Sequence, residues 1–213
     1  MLITFEGVEG CGKTTQANLL YETLKQDYKT MITKEPGGTN VGLSIRKILL
    51  NPKYKIINKY AELLLYIADR IQHINEILLP NINDNIIICD RYIDSTIVYQ
   101  SIARGIDINL IMDLHKMLNI DLMPTITFLI DIDVNEGLNR CWNDIKKMNR
   151  SMKETRFEQE KIEFHNKIRE GYFKLSNMYK DRIKIINGAN NIKQVFKDIM
   201  DELEKLNIDK YKI

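Results

Sequence analysis

The strongest chemical signal in the sequence lies near its start, where a glycine-rich segment leads into lysine and threonine. The segment is Gly7-Val8-Glu9-Gly10-Cys11-Gly12-Lys13-Thr14, and the pattern G-x-x-x-x-G-K-[ST] is typical of a loop that wraps around the phosphates of a nucleotide. Glycines at the bends allow backbone N–H groups to point inward. Lys13 can then reach the β- and γ-phosphates, and Thr14 can bind Mg²⁺. The alternative is a glycine turn beside a solvated lysine.

Two charged residues follow a later apolar run and extend this chemistry. Asp90 ends the run from Ile86 to Cys89, where a carboxylate can hold Mg²⁺ directly or through water; its alternative role is to cap the next helix. Arg91 follows, and its guanidinium fork suits a phosphate held at two oxygens. An isolated arginine would be a solvated surface residue. Beside a phosphate loop, Arg91 is a candidate for holding a second, acceptor phosphate.

A third candidate pair is Tyr66 and Arg70, which stand four residues apart in a segment with helical apolar spacing and therefore share one helix face. An aromatic ring and a fork-shaped donor can together stack on a base and hydrogen-bond it. The simpler alternative is a partly buried tyrosine beside an arginine that extends to water. Spacing alone favours that alternative.

The segment from Arg140 to Arg156 is rich in basic residues, and only Asp144 and Glu154 oppose them. Its other cations are Lys146, Lys147, Arg150 and Lys153. Such a run is usually a solvated helix face. It could instead form a mobile lid that closes over ATP, excludes water and stabilises the transferring charge.

The composition is that of an ordinary globular protein. Of its 213 residues 44% are hydrophobic, and 31 basic against 29 acidic residues leave a net charge of +2, which gives no global attraction to nucleic acid or membranes. The three cysteines fit neither a disulfide framework nor zinc spacing, and the three isolated histidines are expected on the surface or in packing. No apolar run approaches the ~20 residues of a membrane span. We therefore expect a cytoplasmic protein.

Short apolar runs alternate with helical patterns and predict the elements that position these residues. The predicted strands are residues 2–5, 85–89, 125–130 and 182–186, with a weaker one at 29–33. This alternation after a phosphate loop predicts a P-loop NTPase-like α/β fold, a doubly wound parallel five-stranded sheet flanked by helices. We expect one domain over residues 1–213, a lid at about 141–157 and a frayed tail at 209–213. Ligands gather at the carboxyl ends of such strands. The phosphate loop, the segment 35–39, Asp90-Arg91 and the segment after Ile130 should therefore line one crevice.

Five blocks of sequence carry a resemblance to a known family. They are Phe5 to Gln16; Glu35-Pro36-Gly37-Gly38-Thr39 with Arg46; Ala68-Asp69-Arg70 with Gln72-His73; Asp90 to Thr96 with Tyr99-Gln100 and Arg104-Gly105; and Arg156-Phe157-Glu158 with Phe164 and Arg169-Glu170-Gly171-Tyr172. In this order and over most of the chain, they resemble the thymidylate kinase family, specifically its bacterial branch.

The resemblance implies transfer of the γ-phosphoryl group of ATP to dTMP with Mg²⁺ as cofactor, in a homodimer formed through helices that flank the sheet. The implied catalytic residues are Lys13, Arg91, Arg156 and Glu9: Arg91 would hold the acceptor phosphate, and Lys13 with Arg156 would stabilise the phosphoryl group in transfer. Metal would bind at Thr14 and Asp90. The implied ATP site comprises Gly7, Val8, Glu9, Gly10, Cys11, Gly12, Lys13, Thr14, Thr15 and Arg140.

The same resemblance implies a dTMP site with a defined division of roles. Tyr66 would stack on thymine, Arg70 would bond the base, and Glu9 would contact the sugar. Tyr99 would crowd the place of a ribose 2′-OH. The implied site comprises Glu9, Pro36, Tyr66, Arg70, Arg91, Ser95, Tyr99 and Gln100.

The sequence departs from the family pattern at a few positions. Positions 8 to 11 contain no arginine, so the lid is expected to supply the catalytic charge; Arg156 fits by its place before Phe157, and Arg150 is a rival. Lys34 stands where relatives commonly carry arginine, and Asp69 replaces a small or amide residue.

Two other classes of function stay open at this stage. One is a P-loop kinase for a different nucleotide or for a deoxynucleoside, although a nucleoside kinase has no acceptor phosphate for Arg91 to hold. The other is a P-loop switch protein that hydrolyses nucleotide. A GTPase is expected to carry Asn-Lys-x-Asp, and neither Asn-Lys pair, at 58–59 or at 166–167, continues in that way.

Overall fold

The computed structural model describes residues 1–148 and 151–213. Within them, one parallel sheet is formed by β1 (Leu2–Glu6), β2 (Thr30–Lys34), β3 (Ile86–Asp90), β4 (Ile126–Asp131) and β5 (Ile183–Asn187), in the order β2-β3-β1-β4-β5. The predicted α/β fold with a five-stranded parallel sheet is confirmed. Each predicted strand matches an observed one to within a single residue at either end.

Helices join the strands and flank the sheet. In the described residues the α-helices are α1 (Lys13–Leu24), α2 (Asn40–Leu49), α3 (Lys59–His73), α4 (Leu79–Asn81), α5 (Ile93–Thr96), α6 (Ile108–Met117), α7 (Val134–Lys146), α8 (Ile162–Met178) and α9 (Ile192–Leu203). Two π-helical segments, Ile74–Leu78 and Ile97–Ala103, continue α3 and α5, and short 3₁₀ turns lie at Met152–Glu154 and Asp209–Tyr211.

The central strands form where β-branched residues are buried on both faces. β3 carries three consecutive isoleucines followed by Cys89, and all four side chains are buried. Such runs favour inner strands of a parallel sheet, because helices cover both faces. The central strands β1 and β4 also contact each other through side chains. Thr4 Oγ1 lies 2.7 Å from Thr127 Oγ1, and the rings of Phe5 and Phe128 lie 5.4 Å apart.

The strand order places the chemical residues side by side. β1 lies between β3 and β4, and Phe5 is paired in register with Asp90. The phosphate loop therefore leaves the sheet next to Asp90 and Arg91, at the same carboxyl edge. β2 ends at this edge as well, because Lys34 is paired with Asp90. Three connections that are distant in sequence thus begin within one or two strand widths of each other.

The end of the chain differs from the expectation of a frayed tail. Tyr211 is buried, and its carbonyl oxygen accepts a hydrogen bond from Lys29 N at 2.8 Å. Ile213 N donates to Asp27 O at 3.0 Å. The expectation was wrong because the tail pairs with the segment before β2. The composition of residues 209–213 does not predict this contact.

None of the helices in the described ranges is long and apolar enough to cross a membrane.

Candidate active site

A cleft of about 660 Å³ opens at the carboxyl ends of β1, β2 and β3. Three of the four connections expected to converge contribute directly to its lining, namely those after β1, β2 and β3. From the connection after Ile130 and the helix that follows it, the lining takes only Cys141 and Asp144, which lie on α7.

Five basic side chains of the described residues line the cleft: Lys13, Lys34, Arg46, Arg70 and Arg91. In the same part of the chain, six acidic side chains line it: Glu9, Glu35, Asp90, Asp144, Glu154 and Glu158. The placement of individual cations, and not the net charge of the cleft, therefore decides where an anionic group can bind.

The phosphate loop follows β1 and depends on glycine at two close approaches. Gly7 has φ +140° and Gly10 has φ +70°, conformations that L side chains rarely adopt. A Cβ at Gly10 would lie 1.9 Å from the carbonyl oxygen of Gly137, and one at Gly7 would lie 2.4 Å from that of Ile130. The loop is therefore held tightly against β4 and α7, and only glycine fits at these two bends.

The loop leads directly into α1, whose first residue is Lys13. The Lys13 ammonium group is buried and donates to the carbonyl oxygens of Gly7 at 3.0 Å and Val8 at 2.7 Å. The chain thus surrounds this cation with the loop itself. The cleft is lined by Gly12, Lys13, Thr14 and Thr15, so the N-terminal end of α1, with its unpaired N–H groups, is directed at the site.

Thr14 and Asp90, the two predicted metal ligands, lie in contact. Thr14 Oγ1 donates to Asp90 Oδ2 at 2.5 Å, and both residues line the cleft. A hydroxyl and a carboxylate are oxygen donors of the kind that Mg²⁺ prefers, and Mg²⁺ usually takes only one or two protein ligands beside phosphates and water. In the described residues no three His, Cys, Asp or Glu side chains cluster as a metal site. The donor set suits a cation that arrives with a phosphorylated ligand.

Arg91 is held by a network at the mouth of β3. Its backbone has φ +68°, unusual for a bulky side chain. Its guanidinium donates to Ser95 Oγ at 3.1 Å, Tyr172 Oη at 3.3 Å and Glu9 Oε1 at 3.2 Å, and it lies 5.1 Å from the centre of the Tyr99 ring. These contacts hold the guanidinium in the cleft, against Glu9 of the phosphate loop.

Glu9 joins the phosphate loop to this network. Its Oε1 accepts from Tyr99 Oη at 2.5 Å as well as from Arg91, and its Oε2 lies 3.1 Å from His165 Nδ1. Burial alone would raise the pKa of Glu9, but the hydrogen bond from His165 and the charges of Arg91, His165 and Lys13 bring the pKa well below its usual range. Glu9 is therefore a carboxylate at neutral pH.

The far end of the cleft contains the residues expected to bind a base. Tyr66 is half-buried and lines the cleft with Pro36, Ser95 and Gln100. Arg70 is only 1% exposed, so the alternative in which it extends to water is wrong. It donates to Glu35 Oε2 through Nε and Nη2, and to Thr96 Oγ1 and His115 Nε2 through Nη1. These bonds occupy four of its five N–H groups and fix the plane of the guanidinium.

His115 acts here as an acceptor. Its Nδ1 lies 2.7 Å from the carbonyl oxygen of Ile111, so that nitrogen carries the hydrogen and Nε2 is left to accept from Arg70. Burial, followed by the charge of Arg70, lowers the pKa of His115 to about 4. The ring is neutral at physiological pH and supports Arg70 without repelling it.

Arg156 lies away from the position expected of a catalytic lid arginine. It is 6% exposed, its Nε donates to the carbonyl oxygen of Leu49, and its Nη2 lies 2.7 Å from Glu62 Oε2. The next residues, Phe157 and Glu158, line the cleft and Arg156 does not. In this arrangement Arg156 does not face the cleft, because the buried carboxylate of Glu62 holds the guanidinium. Its role in stabilising the phosphoryl group in transfer stays a prediction. Its rival Arg150 lies outside the described residues.

Arg140 lies on α7, on the other side of the phosphate loop. It donates to Gly188 O at 3.2 Å and to Glu136 Oε1 at 2.6 Å. It lines a second hollow of about 1030 Å³, which shares Gly10, Gly12 and Thr15 with the main cleft. Arg140 thus lies beside the phosphate loop, and its contact with ATP stays a prediction.

The sequence analysis assigned no role in the site to four buried groups that support these side chains: Glu6, Glu62, His165 and Tyr172. Glu6 ends β1 and accepts from Ser95 Oγ at 2.6 Å and Tyr172 Oη at 2.8 Å; burial, followed by the charge of Asp94, raises its pKa to about 6. A signal existed on α8, where His165, Ile168 and Tyr172 form one buried stripe. Two polar residues in an apolar stripe indicate a buried hydrogen-bonding role.

The histidines were expected on the surface or in packing, and all three are buried with hydrogen-bond partners.

Comparison with known proteins decides the family. A family model described as thymidylate kinase matches residues 5–199. The chain belongs to the thymidylate kinase family. A thymidylate kinase of Sulfurihydrogenibium sp. is 45% identical over 208 residues, covering 97% of this chain and 98% of that protein. A thymidylate kinase of Desulforapulum autotrophicum is 41% identical over 212 residues, covering 98% and 93%.

The fold agrees with the family. The crystal structure of thymidylate kinase from Ehrlichia chaffeensis superimposes with a TM-score of 0.76 at 34% sequence identity, over 96% of this chain and 98% of that chain. The family resemblance that the five sequence blocks suggested is confirmed.

Proposed function

We propose that this chain is an ATP:dTMP phosphotransferase that converts dTMP to dTDP with release of ADP. The observation that carries the proposal is the pairing of two anion-binding groups across one cleft. The phosphate loop follows β1 and Arg91 follows β3, and the two strands are neighbours with Phe5 in register with Asp90. A donor triphosphate on the loop would therefore face an acceptor phosphate on Arg91.

The reaction needs positioning and charge neutralisation more than covalent help. A phosphate oxygen of dTMP attacks the γ-phosphorus of ATP, and the bond from that phosphorus to the β–γ bridging oxygen breaks. Lys13 and the N–H groups at the start of α1 would neutralise charge on the donor side, and Arg91 would hold the acceptor phosphate in line. Mg²⁺, held through Thr14 and Asp90, would neutralise charge on the donor phosphates.

The acceptor's base and sugar would occupy the part of the cleft where Tyr66 and Gln100 lie beside Arg70 and Glu9. Tyr66 would stack on thymine, and Arg70, fixed by Glu35 and His115, would direct its remaining N–H group at a base oxygen. Glu9 would contact the sugar, and Tyr99, which hydrogen-bonds Glu9, would fill the place of a ribose 2′-OH. Pro36, Ser95 and Gln100 would complete the lining.

Two further parts of the proposal concern the protein as a whole. We propose a homodimer through flanking helices, supported by exposed apolar side chains on α2 and α3: Val41, Leu43, Ile48 and Leu64. Light scattering coupled to size-exclusion chromatography tests it. A cytoplasmic location is supported by an odd cysteine count with no disulfide among the three, all of which lie in the described ranges.

The test is a coupled assay of ADP release across dTMP, dUMP, dCMP, dAMP, dGMP and thymidine, with the product identified by chromatography. We expect dTDP to form and dTMP to give the highest kcat/KM. A tenfold preference for another base, or for the nucleoside, would replace the proposed substrate. ATP hydrolysis that dTMP does not reduce, with no dTDP formed, would favour a nucleotide-driven switch instead.

A further inference from the structure

His165 is a buried histidine whose only described polar contact is a side chain of the phosphate loop. It is 1% exposed and lies on α8, which follows the lid segment. Its Nδ1 lies 3.1 Å from Glu9 Oε2, and its Nε2 is buried with no hydrogen-bond partner in the described part of the chain. A polar ring is costly to bury with one nitrogen unsatisfied. An apolar residue would pack at this position at lower cost, so the ring's contact with Glu9 calls for a functional explanation.

The carboxylate of Glu9 is restrained from two sides. On Oε1 it accepts from Tyr99 Oη and Arg91 Nη2, which belong to elements after β3, and on Oε2 it meets only His165 among the described residues. Without His165, the donors would hold only Oε1, and the plane of the carboxylate could rock about the terminal torsion of Glu9, which is broad. With His165, each oxygen has its own donor.

We propose that His165 is a positioning residue that fixes the carboxylate plane of Glu9 at the acceptor side of the cleft. The inference rests on the proposed function, in which Glu9 contacts the sugar of dTMP. The only hydroxyl of that sugar is the 3′-OH, because the 2′ position is deoxygenated and the 5′ oxygen carries the phosphate. His165 thereby affects how the 3′-OH is recognised without touching the substrate.

The charges around the pair favour an ionic contact. Burial alone would lower the pKa of His165, but the hydrogen bond and charge of Glu9, together with Glu158 and Glu160 before α8, raise it above its usual value. Arg91 and Lys13 are the other cations whose charges act on Glu9. The ring therefore donates from Nδ1 to a carboxylate that is already ionised.

The kinetic test compares His165→Leu with His165→Asn, using dTMP and 2′,3′-dideoxythymidine monophosphate as acceptors. The amide nitrogen of asparagine stands as many bonds from Cα as Nδ1 does and can still donate to Glu9. We expect His165→Leu to raise KM for dTMP about tenfold, typical of a lost charged hydrogen bond, with KM for ATP unchanged. For the analogue that lacks the 3′-OH, His165→Leu should raise KM less than about threefold. KM for dTMP in His165→Asn should lie close to that of wild type. Equal increases for both acceptors, or an asparagine variant no better than leucine, would overturn the inference.

A second measurement separates this inference from the proposed function. In wild-type protein the pKa of His165 is followed by NMR of ¹⁵N-labelled histidine and compared with that in Glu9→Gln. We expect a clear decrease in the variant, and an unchanged pKa would refute the pairing whatever the substrate is. Lys167→Ala, an exposed change two residues along α8, serves as the control and should alter neither KM nor the titration. If wild type fails to phosphorylate dTMP, the proposed function fails while the NMR result still decides the pair.

Discussion

Arg156 Nη2 lies 2.7 Å from Glu62 Oε2, and this ion pair between the end of the lid segment and α3 is almost fully buried. Glu62 also accepts from Gln100 Nε2 at 3.0 Å and from Arg104 Nε at 3.3 Å. The carboxylate therefore joins three segments. In this arrangement Arg156 anchors the lid segment to the body of the protein and does not contact the cleft.

The first prediction follows from that pair. Arg156→Ala removes the nearer of the two arginines that pair with Glu62, and the contact with Arg104 at 3.3 Å remains. The free energy of unfolding should therefore fall by about 2 kcal/mol, less than the cost of leaving a buried charge wholly unpaired. Urea denaturation followed by circular dichroism measures it, with Lys153→Ala, an exposed lid change, as the control. A variant of unchanged stability whose kcat falls about 10³-fold would instead show that Arg156 acts directly on the transferring phosphoryl group.

The outcome for Arg156 shows where sequence reasoning succeeds and where it stops. The phosphate loop, Asp90 and Arg91 were located because each directly follows an apolar run, and in a parallel sheet such positions meet at one edge. This argument needs only local pattern and topology. The placements of Arg156 and His165 depend on partners at positions 62 and 9, and a pairing across such separations has no local signature. Charge alone does not tell whether an arginine binds a ligand or a buried carboxylate.

A second prediction concerns Asp69, where the sequence departs from the family pattern. Asp69 is buried, and its Oδ1 accepts from Gly37 N at 2.9 Å. Burial, followed by the charge of Glu35, raises its pKa to about 6 from an ordinary 3.8. The folded state therefore binds more protons than the unfolded state between these values, so the contribution of Asp69 to stability falls as the pH rises through that window.

Asp69→Asn removes this titration and keeps the oxygen that accepts from Gly37. The unfolding free energy of the variant minus that of wild type should increase by about 3 kcal/mol as the pH rises from about 4 to about 8. Because Glu6 titrates in both proteins, the difference between them isolates Asp69. Urea denaturation at several pH values measures this increase. A difference in unfolding free energy that stays constant with pH would show that the pKa of Asp69 is not raised in the folded state.

A third prediction tests the metal role proposed for Asp90. Asp90→Asn keeps the size of the side chain and removes the charge that attracts Mg²⁺. The Mg²⁺ concentration for half-maximal rate should rise at least about tenfold, in the range seen when groups that support a bound metal are changed. Asp84→Asn, an exposed change before the same strand, is the control. An equal Mg²⁺ requirement in wild type and Asp90→Asn would leave Asp90 as a cap for the helix that follows.

The last prediction concerns Tyr66, which lines the cleft on the same face of α3 as Arg70. Stacking of an aromatic ring on a base contributes roughly 1–3 kcal/mol in nucleic-acid sites, so Tyr66→Ala should raise KM for dTMP between about 5-fold and 150-fold. KM for ATP should change little, because the phosphate loop lies at the other end of the cleft. Tyr66→Phe keeps the ring and should behave like wild type. Steady-state kinetics with each substrate varied in turn gives both constants, and a phenylalanine variant as impaired as alanine would mean that the hydroxyl, and not the ring face, binds the acceptor.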